Sequence, residues 1–211
     1  WSKNFERFLD GGYGEKLTGA GYHLFFNFTV NSEDLLLEPG LPPLDRRIAR
    51  LSALAKRFGP RRIHWRFDPV CFYSIGGSEP RDNLGDLEKI ADAAAGAGVT
   101  TCITSFMDFY RKIQRRAAAI PGFSFIDPGP AKRLAVIRWM ESILKPRGIA
   151  LSTCCEKEVM TALPPDSTVS ASACVPGNLL MALDGGTVPL RHDPGQRRQA
   201  GCGCTLSMDI G

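Results

Sequence analysis

At 211 residues, with 44% hydrophobic and 23% charged side chains, the chain has the make-up of one globular domain with a real core. That excludes a disordered or fibrous protein. Its net charge of +4 is too small to name a partner. The pairs Arg46-Arg47, Arg61-Arg62, Arg115-Arg116 and Arg197-Arg198 are scattered, and they read as solvated helix faces rather than a nucleic-acid stripe.

No apolar stretch is long enough to span a bilayer, and no signal peptide is visible. Of the seven cysteines, six sit in apolar runs (Cys71, Cys102) or close pairs (Cys154-Cys155, Cys202-Cys204), and Cys174 stands alone. That is not the pattern of a secreted disulfide framework, so a reducing, cytoplasmic setting is expected. The chain starts on Trp1 and stops in an apolar run, so a fragment truncated at both ends is expected.

In chain order, a short helix is expected within residues 4–17. Tyr22 to Val30 (YHLFFNFTV) reads as a buried strand. Residues 45–59 put Ile48, Leu51, Leu54, Ala55 and Phe58 on one helical stripe, closed by Gly59-Pro60. A second strand follows over residues 62–70 (RIHWRFDPV). Leu84, Leu87, Ile90, Ala91 and Ala94 mark a second long helix, and residues 99–108 (VTTCITSFMD) a third strand. Leu134, Ile137, Met140, Ile143 and Leu144 mark a third long helix, stopped at Gly148. Residues 149–156 (IALSTCCE) read as a fourth strand and 178–183 as a short helix. Residues 205–211 (TLSMDIG) read as a fifth strand, with loops at 163–165 and 185–201.

Repeated strand–helix units imply a parallel sheet. Strand alternation then sorts the faces. Ile63, Trp65 and Phe67 share one face of the second strand, and His64, Arg66 and Asp68 the other. Similar polar columns are His23, Asn27 and Thr29; Cys102, Thr104 and Asp108; Cys154 and Glu156, with Cys155 pointing away; and Ser207 and Asp209. A doubly wound sheet would be apolar on both faces. One polar face fits instead a partial or permuted (β/α) barrel, with Asp68, Asp108, Glu156 and Asp209 at the C-terminal strand ends where such barrels place their chemistry.

Arg66 and Asp68 either form a satisfied internal ion pair or grip a carboxylate or phosphate, with Asp68 orienting or accepting a proton. Asp108 and Glu156 suit a substrate amine or hydroxyl, or acid–base work. His23 and His64 with acidic neighbours could hold a divalent metal, though the usual histidine spacing is missing. Cys202-Gly203-Cys204 can bend both sulfurs to one side, as metal ligands or a redox pair. Two thiols cannot hold an iron–sulfur cluster alone, so Cys174 or Cys155 would have to join them. The sequence carries no GxGxxG, P-loop, nucleophile elbow or HExxH.

Several blocks in order resemble one family: WSKN at the start, FTV from Phe28, the E-P-x-x-P-P run from Glu38, GPRRIHWRFDPV from Gly59, SFMDFYRK from Ser105, STCCE from Ser152, DPGQR from Asp193 and CGCTLSMDIG from Cys202. The chain resembles an uncharacterised bacterial and archaeal domain-of-unknown-function family with a radical-SAM-like cysteine cluster at its C-terminus. The resemblance implies a permuted barrel whose cluster loop follows Asp209-Ile210-Gly211. It implies a 4Fe–4S cluster, S-adenosylmethionine, an electron donor and an unknown substrate.

Under that resemblance Arg66, Asp68, Glu156 and Asp209 would contact cofactor, and Asp68, Asp108 and Glu156 would be catalytic. Cys202 and Cys204 precede the last strand. They are placed on the far side of the barrel from its mouth, as an accessory thiol pair at most. Two other readings are carried: a metal-dependent barrel hydrolase or isomerase using His23, His64, Asp68, Asp108 and Glu156, and a non-catalytic nucleic-acid-binding module.

Overall fold

A computed structural model describes residues 1–186, 190–191, 193 and 202–206. The elements run α1 (Glu6–Asp10), α2 (Tyr13–Gly19), β1 (Phe26–Thr29), α3 (Leu44–Phe58), β2 (Ile63–Val70), β3 (Phe72–Ile75), β4 (Arg81–Asp82), α4 (Leu87–Gly96), β5 (Thr101–Phe106), α5 (Arg111–Ala118), β6 (Phe123–Phe125), α6 (Gly129–Leu144), β7 (Ala150–Cys154), α7 (Lys157–Ala162), β8 (Ser170–Ser172) and α8 (Gly177–Asp184). The expected strand over 205–211 and Asp209 fall mostly outside the described residues.

Five strands form one parallel sheet in the order β1-β2-β5-β7-β8. Each new strand joins beside the previous one, so the sheet is wound in a single direction. Ser2 adds a parallel bridge to Phe28 outside β1. The small antiparallel sheet β4-β3-β6 is an addition that the sequence pattern did not reveal.

The register decides which side chains face the core. Parallel partners share a face, and Trp65 pairs with Cys102 while Phe67 pairs with Thr104. Phe28, Ile63, Trp65, Phe67, Cys102 and Leu151 are buried together with Leu51 and Leu54 of α3, Leu87 and Ile90 of α4, and Ile137 and Met140 of α6. Burying each such large side chain stabilises the fold by about 1.5–3 kcal/mol. Trp65 also satisfies its indole, donating from Nε1 to the Val30 carbonyl at 2.9 Å.

Cys102 and Thr104 therefore do not line the polar face, contrary to the sequence expectation. Both are fully buried in this core, and Thr104 donates to the Phe67 carbonyl at 2.7 Å. The polar column of β5 is Thr101 and Ser105, with Ile103 between them. Ile103 stands beside Arg66 and Ser152. His23 is a second correction: β1 starts only at Phe26, and His23 lies exposed before it.

The opposite face carries Asn27, Thr29, His64, Arg66, Asp68, Ser105, Ser152 and Cys154. Asn27 donates to the carbonyl of Cys174, just past β8, at 3.1 Å. The two outer strands of the sheet thus meet across this face. No ladder joins β1 to β8 among the described residues.

Candidate functional site

Arg66 stands at the centre of the polar face and is 1% exposed. Its Nε and Nη2 donate to Asp68 Oδ2 at 3.1 and 2.7 Å. Strand alternation explains the pair, because residues two apart project from one face. The other carboxylate oxygen, Asp68 Oδ1, accepts from the Ser105 hydroxyl of β5. Asn31 exchanges hydrogen bonds with the backbone of Asp68 on both sides.

Trp1 supplies a lid. Its ring lies 4.1 Å from the Arg66 guanidinium carbon, and its Nε1 donates to Thr29 Oγ1 at 3.1 Å. Arg66 Nη1 is buried and has no hydrogen-bond partner among the described residues. A guanidinium that is stacked, paired and still short of one acceptor is suited to an anionic group on the ligand side.

Glu156 follows β7. Its Oε1 accepts the Phe106 backbone N–H at 2.8 Å, and its Oε2 lies 3.5 Å from Arg133 of α6. It ties the end of β5 to the helix layer. Asp108 lies half-buried in the segment after β5, and its Oδ2 accepts from the Tyr110 hydroxyl at 3.1 Å. The strand ends therefore hold Arg66, Asp68 and Glu156 in structural contacts, with Asp108 just beyond.

Thiols dominate the neighbouring edge. Cys154 ends β7, and Cys155 adopts φ 60°, the left-handed region that a non-glycine residue enters at a cost of about 1–2 kcal/mol. This turn brings Cys155 back beside Cys154, with the sulfurs 3.8 Å apart. The expectation that Cys155 points away is thereby corrected. The Cys174 sulfur, just past β8, lies 3.7 Å from Cys154.

Cys202 and Cys204 are also corrected in place. They pack against Ala173, Cys155 and Cys174, not on the far side of the sheet. Cys204 bridges antiparallel to Pro176, and the next residue, Thr205, donates its N–H to the Val175 carbonyl at 2.9 Å. That hairpin docks the CxC onto the C-terminal edge. All seven cysteines are reduced.

The electrostatics separate these sulfurs. A hydrogen bond from Cys174, helped by the nearby Arg66 charge, pulls the Cys154 thiol down to about 6 against its burial. Burial and the Cys154 charge push Cys155 up to about 12. Cys174 is raised as well, mainly by donating to Cys154. Burial keeps Cys71 up at about 12, and Cys102 is raised by burial in the core. Those two are packing residues.

His64 sits partway along β2, its ring 4.5 Å from that of Phe25. Burial and the Arg66 charge lower it to about 4. Among the described residues no three His, Cys, Asp or Glu side chains already surround one point as a metal cage. His23, His64, Asp68, Asp108 and Glu156 in particular are not brought together, which removes the geometric basis for the metal-dependent hydrolase reading. The arginines of α3 are engaged locally: Arg46 with Glu6, Arg50 with Glu6 and Asp10, Arg57 with Glu15.

Beside His64 the polar face opens into a groove of about 630 Å³, lined by Ser152, Ser170, Ser172 and Asn178 among others. A smaller cavity of about 150 Å³ lies past the strand ends, between Asn31, Glu38, Cys71, Met107 and Arg116. No helix among the described residues is long and apolar enough to cross a membrane.

The sequence singled out Arg66, Asp68 and Glu156; the structure joins Arg66 to Asp68 on the polar face and ties Glu156, just after β7, to the end of β5 and to α6. The sequence did not reveal Ser105 and Asn31 as partners of Asp68, or Trp1 as the partner of Arg66. Cys155 and Cys174 were named only as possible companions of the CxC. A search of curated proteins finds no match. The profile of a domain-of-unknown-function family, DUF1848, matches residues 1–211, and the chain belongs to that family.

Proposed function

We propose that the chain is the sheet scaffold of an iron–sulfur enzyme that uses S-adenosylmethionine, built as an arc of a (β/α) barrel. The observation that carries this reading is the buried Arg66, with its unpartnered Nη1, on the polar face of a singly wound parallel sheet. The contact from Asn27 to Cys174 supports the barrel-like curl. The cofactor class in this reading is the one that the resemblance of the ordered sequence blocks implies.

The residues present fit the cofactor in one respect. An amino-acid carboxylate matches the open donor of Arg66, in a setting that Trp1 shields from water. When bound, the cluster would supply the electron that cleaves S-adenosylmethionine reductively, and an electron-donor protein would be the partner. Asp68 holds the guanidinium plane, and Ser105 holds Asp68. Glu156 fixes the end of β5. Asp108, at the mouth, is the carboxylate assigned to the cofactor amine or to acid–base work on substrate. Asp209 belongs to the same proposed edge and lies outside the described residues. The groove beside His64, with its row of serine hydroxyls, is the proposed substrate side.

The test is the full-length protein purified without oxygen. Iron, acid-labile sulfide and dithionite-dependent cleavage of S-adenosylmethionine to 5′-deoxyadenosine are expected. A colourless, iron-free preparation after anaerobic reconstitution would overturn the reading.

A further inference from the structure

Five thiols converge on one edge although they come from three separated segments. Cys154 and Cys155 end β7, Cys174 follows β8, and Cys202 and Cys204 arrive on the docked hairpin. The contacts run in sequence around a loop: Cys174 to Cys154 at 3.7 Å, Cys154 to Cys155 at 3.8 Å, Cys155 to Cys202, and Cys202 to Cys204. Cys204 in turn acts electrostatically on Cys174.

Those two distances carry chemical information. An ion bound tetrahedrally by thiolates at about 2.3 Å spaces its sulfurs about 3.8 Å apart. A disulfide would need the sulfurs at about 2 Å. Mere packing of buried cysteines does not explain the left-handed backbone at Cys155, which turns that sulfur toward the others.

We infer that four of these sulfurs bind one soft metal ion of the zinc class, with Cys154, Cys155 and Cys174 supplying three and the CxC hairpin the fourth. The strand ends set two edges of the tetrahedron. Side-chain rotation on the hairpin closes the shell, which the described geometry leaves open. Binding a divalent cation through four thiolates gives a tetrathiolate of charge −2 and releases to solvent whatever protons the four sulfurs carry. Arg66, acted on by the charges of both Cys154 and Cys174, supplies the adjacent positive charge. The ion would pin the hairpin to β7 and β8, beside the contact that brings β1 and β8 together. This inference uses none of the cofactor chemistry above and stands or falls separately.

The experiment is metal analysis of the full-length protein after chelator treatment and reloading with Zn²⁺ or Co²⁺. One equivalent of tightly held zinc is expected. The cobalt form should show intense sulfur-to-cobalt charge transfer and tetrahedral ligand-field bands. Cys154→Ser and Cys174→Ser should each lower zinc retention at least tenfold, whereas Cys71→Ser and Cys102→Ser should retain it.

A Cys154–Cys174 disulfide in protein prepared with zinc and reductant would overturn the inference. So would cobalt spectra unchanged by Cys174→Ser, or a site that takes up only an iron–sulfide cluster. If Cys154→Ser and Cys174→Ser fail to fold, alkylation protection in the unsubstituted protein decides. Zinc should shield these thiols from iodoacetamide, and equal labelling with and without zinc would contradict the site. Iron content and S-adenosylmethionine cleavage are measured on the same samples, so loss of one activity without the other separates the two proposals.

Discussion

Asn27 of β1 donates a 3.1 Å hydrogen bond to the carbonyl of Cys174, 147 residues away and beyond the opposite edge strand. A flat five-stranded sheet would separate these groups by four strand spacings, about 19 Å. The bond therefore reports a strongly curled sheet whose polar face is concave. It also anchors the segment carrying Cys174 over Arg66.

Asn27→Ala should cost about 1 kcal/mol, the net value of a typical internal hydrogen bond. Urea unfolding measures this. Asn27→Asp keeps the size but loses the donor, and should cost at least as much. Two neutral variants would mean that the bond does not hold the edges together.

Arg66 and Asp68 form a pair that is costly to break on one side only. Arg66→Met leaves the Asp68 carboxylate short of its cation, and a loss of about 3–5 kcal/mol is expected. Adding Asp68→Asn should recover part of that loss. Chemical denaturation of the two single variants and the double variant gives the coupling. Additive losses would show that the pair contributes no interaction of its own.

Glu156 acts through the contacts it makes. Glu156→Gln keeps an acceptor for the Phe106 N–H and weakens the long contact to Arg133, so a change within about 1 kcal/mol is expected. Glu156→Ala orphans that N–H and should cost about 1–3 kcal/mol. Any activity should survive Glu156→Gln. Loss of turnover with unchanged stability would make Glu156 catalytic instead of positioning.

His64 links stability to pH. Its folded-state value of about 4 lies below the unfolded value near 6.5. The unfolded chain therefore takes up a proton between those values that the folded chain refuses. This contribution is fully present above pH 6.5 and is lost as pH falls toward 4. His64→Phe keeps a ring against Phe25 and should flatten the fall in thermal midpoint between pH 7 and 4.5. An unchanged slope would contradict the burial argument.

The long helices and four strands of the main sheet were legible because apolar periodicity and β-branched runs are local signals. Leu51 and Leu54 of α3, and Trp65 and Phe67 of β2, show it. The face of β5 was not legible. Thr101, Cys102, Ile103, Thr104 and Ser105 mix polar and apolar on both sides, and only pairing with Trp65 and Phe67 selects Cys102 and Thr104 for the core. β8 was missed because Ser170, Ala171 and Ser172 have little strand preference, and its neighbour β7 supplies the register. The thiol edge depends on the backbone turn at Cys155 and on a docked hairpin, neither of which cysteine spacing announces. By contrast, Arg66 and Asp68 sit two apart in one strand, so their shared face followed from alternation alone, while their hydrogen bonding to each other was one of two readings the sequence left open.

The most direct measurement is electron paramagnetic resonance of the reduced, anaerobically prepared full-length protein with and without S-adenosylmethionine. The account predicts an iron–sulfur signal whose g-values shift when S-adenosylmethionine is added, with the shift weakened by Arg66→Lys. A reduced protein without a cluster signal, or a signal indifferent to S-adenosylmethionine, would contradict it.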